Sequence, residues 1–394
     1  MFIVVLCSVL VLMHLYVWKR LVKDTTRPGR TRLILSAVVL AMAGVLAVTL
    51  FLPRMTSTRP TAWLAWPGYL WFGMVVYLFL GLLVLEPIRA ALRTWATRGA
   101  GVKAATAAGE GQTESPAVDR RLFLARAGAV TAGVAAAGLV GVGATTALGP
   151  PDVVRVPVRL RRLDPAFDGF RIAVVSDVHV GPLSGRAHTE RIVRMINETE
   201  PDLVAVVGDL VDGTVEEFGS AAEPLRHLES REGTFFVTGN HEYYVEETGD
   251  WLRELERLGL HRLRNENTVI RRSTGAFDLA GVNDIAGVTR SDAPDFDRAL
   301  MGADPARPTI LLAHQPILVE EAAARGVDLQ LSGHTHGGQM WPFHYAVRLA
   351  QPSLAGLSTV QGTQLYVTRG AGFWGPPVRI GAPPDVTVLS LQSG

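Results

Sequence analysis

Hydrophobic positions along this chain follow two different patterns, and the change lies near residue 150. Before it, the sequence contains four uncharged apolar stretches, at residues 2–18, 33–53, 65–85 and 127–148. A helix needs about 20 apolar residues to cross the hydrocarbon core of a bilayer. We therefore expect three membrane-spanning helices within residues 1–98 and a fourth membrane or signal-anchor helix at 127–148. A cleaved signal peptide is an alternative for the first stretch alone.

Charged residues between the stretches indicate the topology. The first 150 residues carry 15 Lys and Arg but only 5 Asp and Glu. Most of these cations lie between the first and second stretches and between the third and fourth, and the positive-inside rule places both loops in the cytoplasm. Residues 99–126 are then a cytoplasmic linker, and the chain after the fourth stretch is expected on the extracytoplasmic side of the cytoplasmic membrane. Because the bilayer accounts for the basic charge, no nucleic-acid partner is expected.

A pair of arginines precedes the fourth stretch. Arg120 and Arg121 are followed by Leu122-Phe123-Leu124 and then by a mildly apolar run. This order resembles the twin-arginine export signal, which would make the twin-arginine translocase a partner. The alternative is that the pair is an ordinary basic flank of a membrane helix. Whether the fourth helix is cleaved stays open.

After residue 150 the chain alternates short apolar runs with helical spacing, which is typical of a layered α/β domain at residues 151–394. Its single cysteine, Cys7, excludes a disulfide within the chain and a cysteine-based zinc site. The pattern predicts helices at 187–198, 221–228 and 251–258, and strands at 170–176, 203–208, 234–238, 277–282, 309–313, 328–332, 365–368 and 386–391.

Polar side chains stand where five of these strands end. They occur as Asp177-Val-His179, Gly208-Asp209-Leu-Val-Asp212, Gly239-Asn240-His241-Glu242, His314 and Gly333-His334-Thr335-His336. Ligands bind at the carboxyl edge of a mostly parallel sheet, and residues two apart on an extended segment face the same side. Imidazole and carboxylate groups together suit divalent ions such as zinc, iron or manganese. Seven such ligands fit two ions if one carboxylate bridges them.

The ordered set D-x-H, GD-x-x-D, GNHE, H and GH-x-H resembles the calcineurin-like metallophosphoesterase family over about residues 170–340. The extended run Gly333–Gln339 is similar to a membrane-anchored bacterial branch of that family. The resemblance implies a four-layer α-β-β-α sandwich and two divalent cations, of manganese, iron or zinc. It assigns Asp177, His179 and His336 to one ion, Asn240, His314 and His334 to the other, and Asp209 to both.

The same resemblance implies a hydrolase in which a metal-bound hydroxide attacks phosphorus. His241 would protonate the leaving oxygen and Asp212 would orient His241. The expected substrate is a phosphomonoester or phosphodiester on a small molecule or a lipid, including nucleotide-lipids. Gly213 and Thr238 occupy positions where the family's protein phosphatases carry arginine, which argues against a phosphoprotein substrate. The alternative function is a non-catalytic metal-binding scaffold or a membrane-bound interaction module.

Substrate-binding residues are not identified by the motifs. Arg369, Phe373 and Trp374 lie in a glycine-rich segment near the end of the chain. They are candidates for the mouth of the site, although a packed loop is the favoured interpretation.

Overall fold

The computed structural model describes residues 2–55, 62–92, 116–245 and 248–394. The chain divides into two compact units, residues 1–143 and 144–394. Residues 99–115 of the expected cytoplasmic linker lie outside the described part.

The amino-terminal unit is helical. Its helices are α1 (Phe2–Trp18), α2 (Arg30–Met55), α3 (Ala62–Val84) and α4 (Pro116–Leu148), and residues 86–92 are also helical. Within the described residues, three segments are long and apolar enough to cross a membrane, namely Arg30–Leu52, Ala62–Val84 and Arg120–Leu148.

Helix α1 forms where the apolar pattern predicts it but is not one of those three segments. Its 17 residues give a length of about 26 Å at 1.5 Å per residue, which falls short of a hydrocarbon core of about 30 Å. Three of the four expected stretches therefore meet this criterion of length and composition, and a spanning role for the first stays a prediction.

Helix α4 begins at Pro116, well before the expected start at residue 127. Arg120 and Arg121 consequently lie on the helix and not in a linker, and both are exposed. Charges in the amino-terminal unit are paired where helices end. Asp24 binds Arg20 at 2.9 Å and Arg89 at 2.7 Å, and Arg20 also binds Glu86 at 2.8 Å.

The second unit contains two six-stranded sheets. The first has the order β1-β12-β2-β3-β4-β5 and the second β10-β11-β9-β8-β7-β6. Neighbours are parallel from β2 to β5 and from β7 through β8 and β9 to β11. The strands are β1 (Asp152–Leu160), β2 (Arg171–Val175), β3 (Leu203–Val207), β4 (Thr234–Val237), β5 (Leu260–Arg262), β6 (Glu266–Arg272), β7 (Gly275–Gly281), β8 (Thr309–Leu312), β9 (Leu329–Ser332), β10 (Gly356–Val360), β11 (Thr363–Val367) and β12 (Asp385–Ser393).

This arrangement confirms the α/β expectation and all eight predicted strands. Four further strands, β1, β5, β6 and β10, were not predicted. They carry polar or charged residues at many positions, as in the partly exposed β6 and β10, so they lack the continuous apolar run that marks a covered strand.

The helices of the second unit are α5 (Arg186–Asn197), α6 (Val215–Ala222), α7 (His241–Tyr244), α8 (Thr248–Arg257), α9 (Phe296–Ala299), α10 (Val319–Ala324) and α11 (His344–Val347). The helix expected at 221–228 is wrong in position. Thr214 caps α6 in a capping box with Glu217, which starts the helix earlier, and Glu223–His227 after it forms only a 3-10 turn.

Apolar residues of this unit form three main clusters. One contains residues of both sheets, including Phe167, Phe170 and Phe277, whose rings meet edge to face. A second joins the first sheet to residues of α5 and α8, and a third joins the second sheet to residues of α9 and α10. These clusters hold the strands in register, so the loops after β2, β3, β4, β8 and β9 are fixed at the carboxyl ends of parallel strands.

Candidate metal centre

Every predicted site residue lies at a strand end. Asp177 and His179 follow β2, Asp209 and Asp212 follow β3, Asn240 and His241 follow β4, His314 follows β8, and His334 and His336 follow β9. The structure brings eight of the nine side chains, all except Asn240, into three groups, two of which share His179.

The first group is Asp177, His179 and His336. The Nε2 atoms of the two histidines are 3.1 Å apart, and the Nε2 atom of His336 is 3.3 Å from Oδ1 of Asp177. The Nε2 atom of His179 is 4.0 Å from that same oxygen. Donor atoms around a common ion at about 2.1 Å lie about 3–3.5 Å apart, so this spacing suits one cation.

The second group is Asp209, His314 and His334. Oδ2 of Asp209 lies 3.3 Å from Nε2 of His314, and the His314 and His334 rings meet with centroids 5.2 Å apart. Asn240 is also buried here. Its Oδ1 atom and the Nε2 atom of His314 have no hydrogen-bond partner within the described part of the chain. Two buried lone pairs without donors fit a cation that both would ligate.

Asp209 lies between the two groups. Besides its contact with His314, its Oδ2 atom is 3.9 Å from Nε2 of His179 and 3.9 Å from Nε2 of His241. Its other oxygen, Oδ1, accepts a hydrogen bond from the backbone N–H of His241 at 2.8 Å. One carboxylate thus faces both groups.

The third group joins Asp212, His179 and His241. Oδ1 of Asp212 lies 2.7 Å from Nδ1 of His241 and 2.8 Å from Nδ1 of His179. The sequence led us to expect only the first of these pairings. Because both imidazoles use Nδ1 on the same carboxylate, both keep Nε2 free to face the centre.

Several residues of this site have unusual backbone conformations. Five of the predicted residues have positive φ, namely Asp177, His179, Asp209, His334 and His336, at 49–70°. Such conformations cost on the order of 1 kcal/mol each for residues other than glycine and persist where surrounding packing enforces them. Asp177 and His179 belong to one group, as expected, but the extended segment on which we expected them is wrong, because both have positive φ. They reach the same group because left-handed turns redirect the chain beyond the strand.

Two glycines allow the strand ends to approach each other. A Cβ atom on Gly333 would collide with Ser176 and the Asp177 carboxylate, and one on Gly239 would collide with Asp209. The close approach lets the backbone N–H of His334 donate to Oδ2 of Asp177 at 3.0 Å.

Glu242 supports the loops and belongs to none of the three groups. It is fully buried, and its carboxylate accepts hydrogen bonds from the backbone N–H groups of Asp209, Leu210 and Gly239 at 2.6–3.0 Å.

Arg379 is a structural residue that sequence reasoning missed. Its guanidinium is 1% exposed and lies 3.1 Å from Nδ1 of His336. It also donates to backbone carbonyls of five residues, His336, Arg369, Gly370, Gly372 and Ala382. Its neighbours in the sequence carry no metal or phosphate motif. Only the folded chain therefore shows that this arginine joins several loops.

Electrostatics at the site favour a protonated His241. Burial acts to lower the pKa of His241, but the Asp209 and Asp212 carboxylates raise it to about 9. Burial acts to raise the pKa of Asp212, while His179 and His241 hold it well below its ordinary value. By contrast, burial lowers the pKa of His334 to about 4, so this ring is neutral and able to ligate.

The other histidines and the residues of the glycine-rich segment differ in their exposure. Of the histidines outside the motifs, His227 and His261 are exposed, whereas Nε2 of His188 is buried. Of the glycine-rich segment, Phe373 is packed at 4% exposure. Trp374 is 47% exposed, with its ring centroid 6.2 Å from that of His241. Trp374 therefore lies at the mouth of the site, and the packed-loop interpretation is wrong for this one residue.

Comparisons with known proteins agree with this geometry. Residues 170–338 match the family model of calcineurin-like phosphoesterases. A zebrafish (Danio rerio) transmembrane protein with a metallophosphoesterase domain is 34% identical over 99% of this chain and 89% of its own length. Its bovine (Bos taurus) counterpart is 42% identical over 64% of this chain, and the match spans 60% of that relative's length.

Bacterial relatives match the same domain. An uncharacterized metallophosphoesterase from Helicobacter pylori strain J99 is 42% identical over 62% of this chain and 65% of its own length. The sequence motifs, the strand-end geometry and the long zebrafish match point the same way. This chain is a member of the calcineurin-like phosphoesterase family.

Proposed function

We propose that this protein hydrolyses phosphoesters with two divalent cations bound at the metal centre. The observation that carries the proposal is the position of Asp209 between two groups of ligands. Its Oδ2 atom is 3.3 Å from His314 on one side and 3.9 Å from His179 on the other. A carboxylate shared in this way is what a closely spaced pair of ions requires.

The donor set fits such a pair. Asp177, His179 and His336 would hold the first ion, Asn240, His314 and His334 the second, and Asp209 both. Imidazole nitrogens with carboxylate and amide oxygens suit manganese, iron or zinc. When bound, the ions would neutralise charge on the phosphoryl oxygens and lower the pKa of a coordinated water.

His241 is positioned to deliver a proton. Asp212 holds its Nδ1 atom at 2.7 Å, and its Nε2 atom faces the centre at 3.9 Å from Asp209. The Asp209 and Asp212 carboxylates raise the pKa of this ring to about 9, which favours its protonated form. It would donate that proton from Nε2 to the oxygen of the leaving alcohol, which makes it the general acid of the reaction.

The proposed location is the extracytoplasmic face of the membrane. The segment between α1 and α2 contains Lys19, Arg20, Lys23 and Arg27. The positive-inside rule therefore favours a cytoplasmic position for this loop. Helices α2, α3 and α4 then cross three times and deliver the second unit to the other side, whether or not α1 spans. The three apolar clusters of that unit support a four-layer order of helices, sheet, sheet and helices.

Export by the twin-arginine translocase is a separate proposal that rests on Arg120 and Arg121. Lysine at both positions keeps the charge but alters the signal. Protease accessibility of the second unit, measured in intact cells of a host with this translocase, should fall in the double variant and in cells that lack the translocase. External placement that is unchanged in both would remove export by this route and leave the hydrolase proposal standing.

The hydrolase proposal is tested on the full chain in detergent. It is loaded separately with manganese, zinc and iron and assayed with an aryl phosphomonoester and an aryl phosphodiester, which also distinguishes the two substrate types. Asp209→Asn and His241→Ala are the matched inactive controls, and Asp297→Asn, an exposed carboxylate with 87% side-chain exposure, is the neutral control. Turnover no higher than that of the inactive controls with all three metals would overturn the proposal. A metal-free, folded protein would favour the scaffold function instead.

A further inference from the structure

Two loops beside the metal centre, which Gln339 joins to each other, carry exposed aromatic and aliphatic side chains. Trp341, Phe343, Tyr345 and Leu349 are 53–92% exposed, and Trp374 is 47% exposed. Soluble surfaces rarely group large apolar residues in this way, and such groups mark sites of binding to a protein or a membrane. We call these five residues the aromatic rim.

The rim is one continuous feature because two loops are bound to each other. The Nε2 atom of Gln339 donates to the carbonyl of Trp374 at 2.9 Å, and the backbone N–H of Trp374 donates back to Oε1 of Gln339 at 3.0 Å. The backbone N–H of Trp341 donates to the carbonyl of Ile380 at 3.0 Å. The loop that follows His336 and the loop that carries Trp374 therefore present their apolar side chains together.

Strand register places the membrane attachment at the same edge of the sheet as the metal centre. In β1, Asp152 pairs with Asp385 of β12. Strand β12 runs antiparallel to β2, and its Thr387 pairs with Val174, close to the carboxyl end that leads to Asp177. The amino end of β1 is thus level with the metal-ligating loops.

Only three residues separate this point from the membrane helix. Helix α4 ends at Leu148 and β1 begins at Asp152. Extended backbone between these two residues reaches about 10–14 Å. Within the second unit, Arg191 donates to the carbonyl of Leu148, the last residue of α4, at 2.9 Å. Leu148 and Phe373, the neighbour of Trp374, line one cavity of about 350 Å³.

Charge along the chain agrees with a membrane-facing surface. Residues 151–394 contain 32 Asp and Glu, yet residues 329–384, which include the rim, contain none. Their cations include the exposed Arg348. A segment with exposed aromatic residues and no acids of its own suits the headgroup region of a bilayer that contains anionic lipids.

We propose that the aromatic rim docks on the lipid bilayer and holds the metal centre against the membrane surface. Tryptophan and tyrosine favour the interface, while phenylalanine and leucine enter the acyl boundary beneath it. Docking of this kind would present lipid headgroups to the site. That consequence rests on the proposed phosphoesterase function, whereas the docking itself does not.

The test measures immersion depth and needs no turnover. The full chain with Cys7→Ser, which removes the sole cysteine, receives one cysteine by Leu349→Cys and carries a nitroxide there. It is reconstituted in nanodiscs of phosphatidylcholine with a minority of phosphatidylglycerol. Spin-label relaxation by oxygen, which is enriched in lipid, and by a water-soluble nickel chelate reports the depth. Met301→Cys is the matched control, since Met301 is 73% exposed, lies outside the aromatic rim and has its carbonyl bound by Asn267 of the edge strand β6.

Docking predicts an oxygen-to-nickel accessibility ratio that is several-fold higher at position 349 than at position 301. Trp341→Ser combined with Phe343→Ser should lower the ratio at 349 toward the control value, while bound metal shows that this exposed double variant is folded. Equal ratios at the two positions would overturn the proposal. Poor access of both reagents at position 349 would overturn the proposal in favour of a protein partner or a second copy of the chain. If the double variant left the ratio at position 349 unchanged, the rim would not anchor the domain, which would also overturn the proposal.

Discussion

The Oδ1 atom of Asp212 lies 2.7 Å from the Nδ1 atom of His241. This contact fixes the ring so that its Nε2 atom points into the metal centre, and the negative charge favours the protonated imidazole. The same oxygen also binds His179 at 2.8 Å. Asp212 therefore connects a proposed proton donor to a proposed metal ligand without facing the ions itself.

Asp212→Asn should lower turnover of an aryl phosphate by about 10–100-fold, because a neutral amide neither fixes the His241 ring as firmly nor favours its charged form. The measurement is kcat with saturating metal, together with the metal content of the purified variant. Asp297→Asn is the matched control and should leave both unchanged. Unaltered kcat in the Asp212 variant would contradict the assignment of Asp212 as a positioning residue.

Asn240→Ala should weaken binding of one of two ions, because it removes a buried Oδ1 atom that has no other partner among the described residues. Asn240→Asp should retain the ion, since a carboxylate offers the same oxygen with added charge. Metal stoichiometry after dialysis against graded chelator checks both variants. Asn267→Ala, which removes a side chain bound to the carbonyls of Ala299 and Met301, should not alter the stoichiometry. Equal ion retention by Asn240→Ala and the unaltered protein would exclude Asn240 as a ligand.

Arg379→Met should destabilise the second unit by about 3–5 kcal/mol, because it leaves several buried carbonyls without their donor. For a domain of this size, that loss corresponds to a fall in Tm of about 10 °C. Thermal unfolding of the full chain in detergent measures it, with Arg348→Met at an exposed position as the control. A Tm equal to that of the control variant would contradict the structural role of Arg379.

Stability should fall in acid partly because of His188. Burial is the main cause that lowers the pKa of this residue from 6.5 to about 4. Between these values the unfolded chain binds a proton that the folded chain does not, so stability present above pH 6.5 is lost as pH falls toward 4. The difference between these two pKa values corresponds to about 3 kcal/mol.

The check on His188 is a comparison of Tm against pH for the full chain and for His188→Gln. The variant should lose less stability between pH 6.5 and pH 4, and the two curves should be parallel above pH 7. His227→Gln, at an exposed histidine, should follow the unaltered protein throughout. Parallel curves for His188→Gln across the whole range would refute the assignment.

Some strands and helices could be predicted from the local sequence pattern, and others could not. Strands β2, β3 and β4 are continuous apolar runs, and every residue of β3 and β4 is buried, so their sequence alone marks them. Strand β10 alternates between exposed and partly exposed residues at the end of a sheet, and such edge strands resemble loops. Helix α6 was misplaced because its start depends on a local cap at Thr214 and not on apolar spacing.

The sequence by itself determined the ligand types and their order, because the spacing of Asp177, Asp209, Asn240, His314 and His334 places each after a strand of an α/β domain. It also marked the segments apolar enough to cross a membrane. Only the tertiary structure decided that Asp212 serves two histidines, that Arg379 ties the loops beside His336, and that the aromatic rim, the metal centre and the end of α4 share one edge. Local pattern follows from the period of each helix or strand, whereas these contacts join residues far apart in sequence and exist only once the sheets have packed.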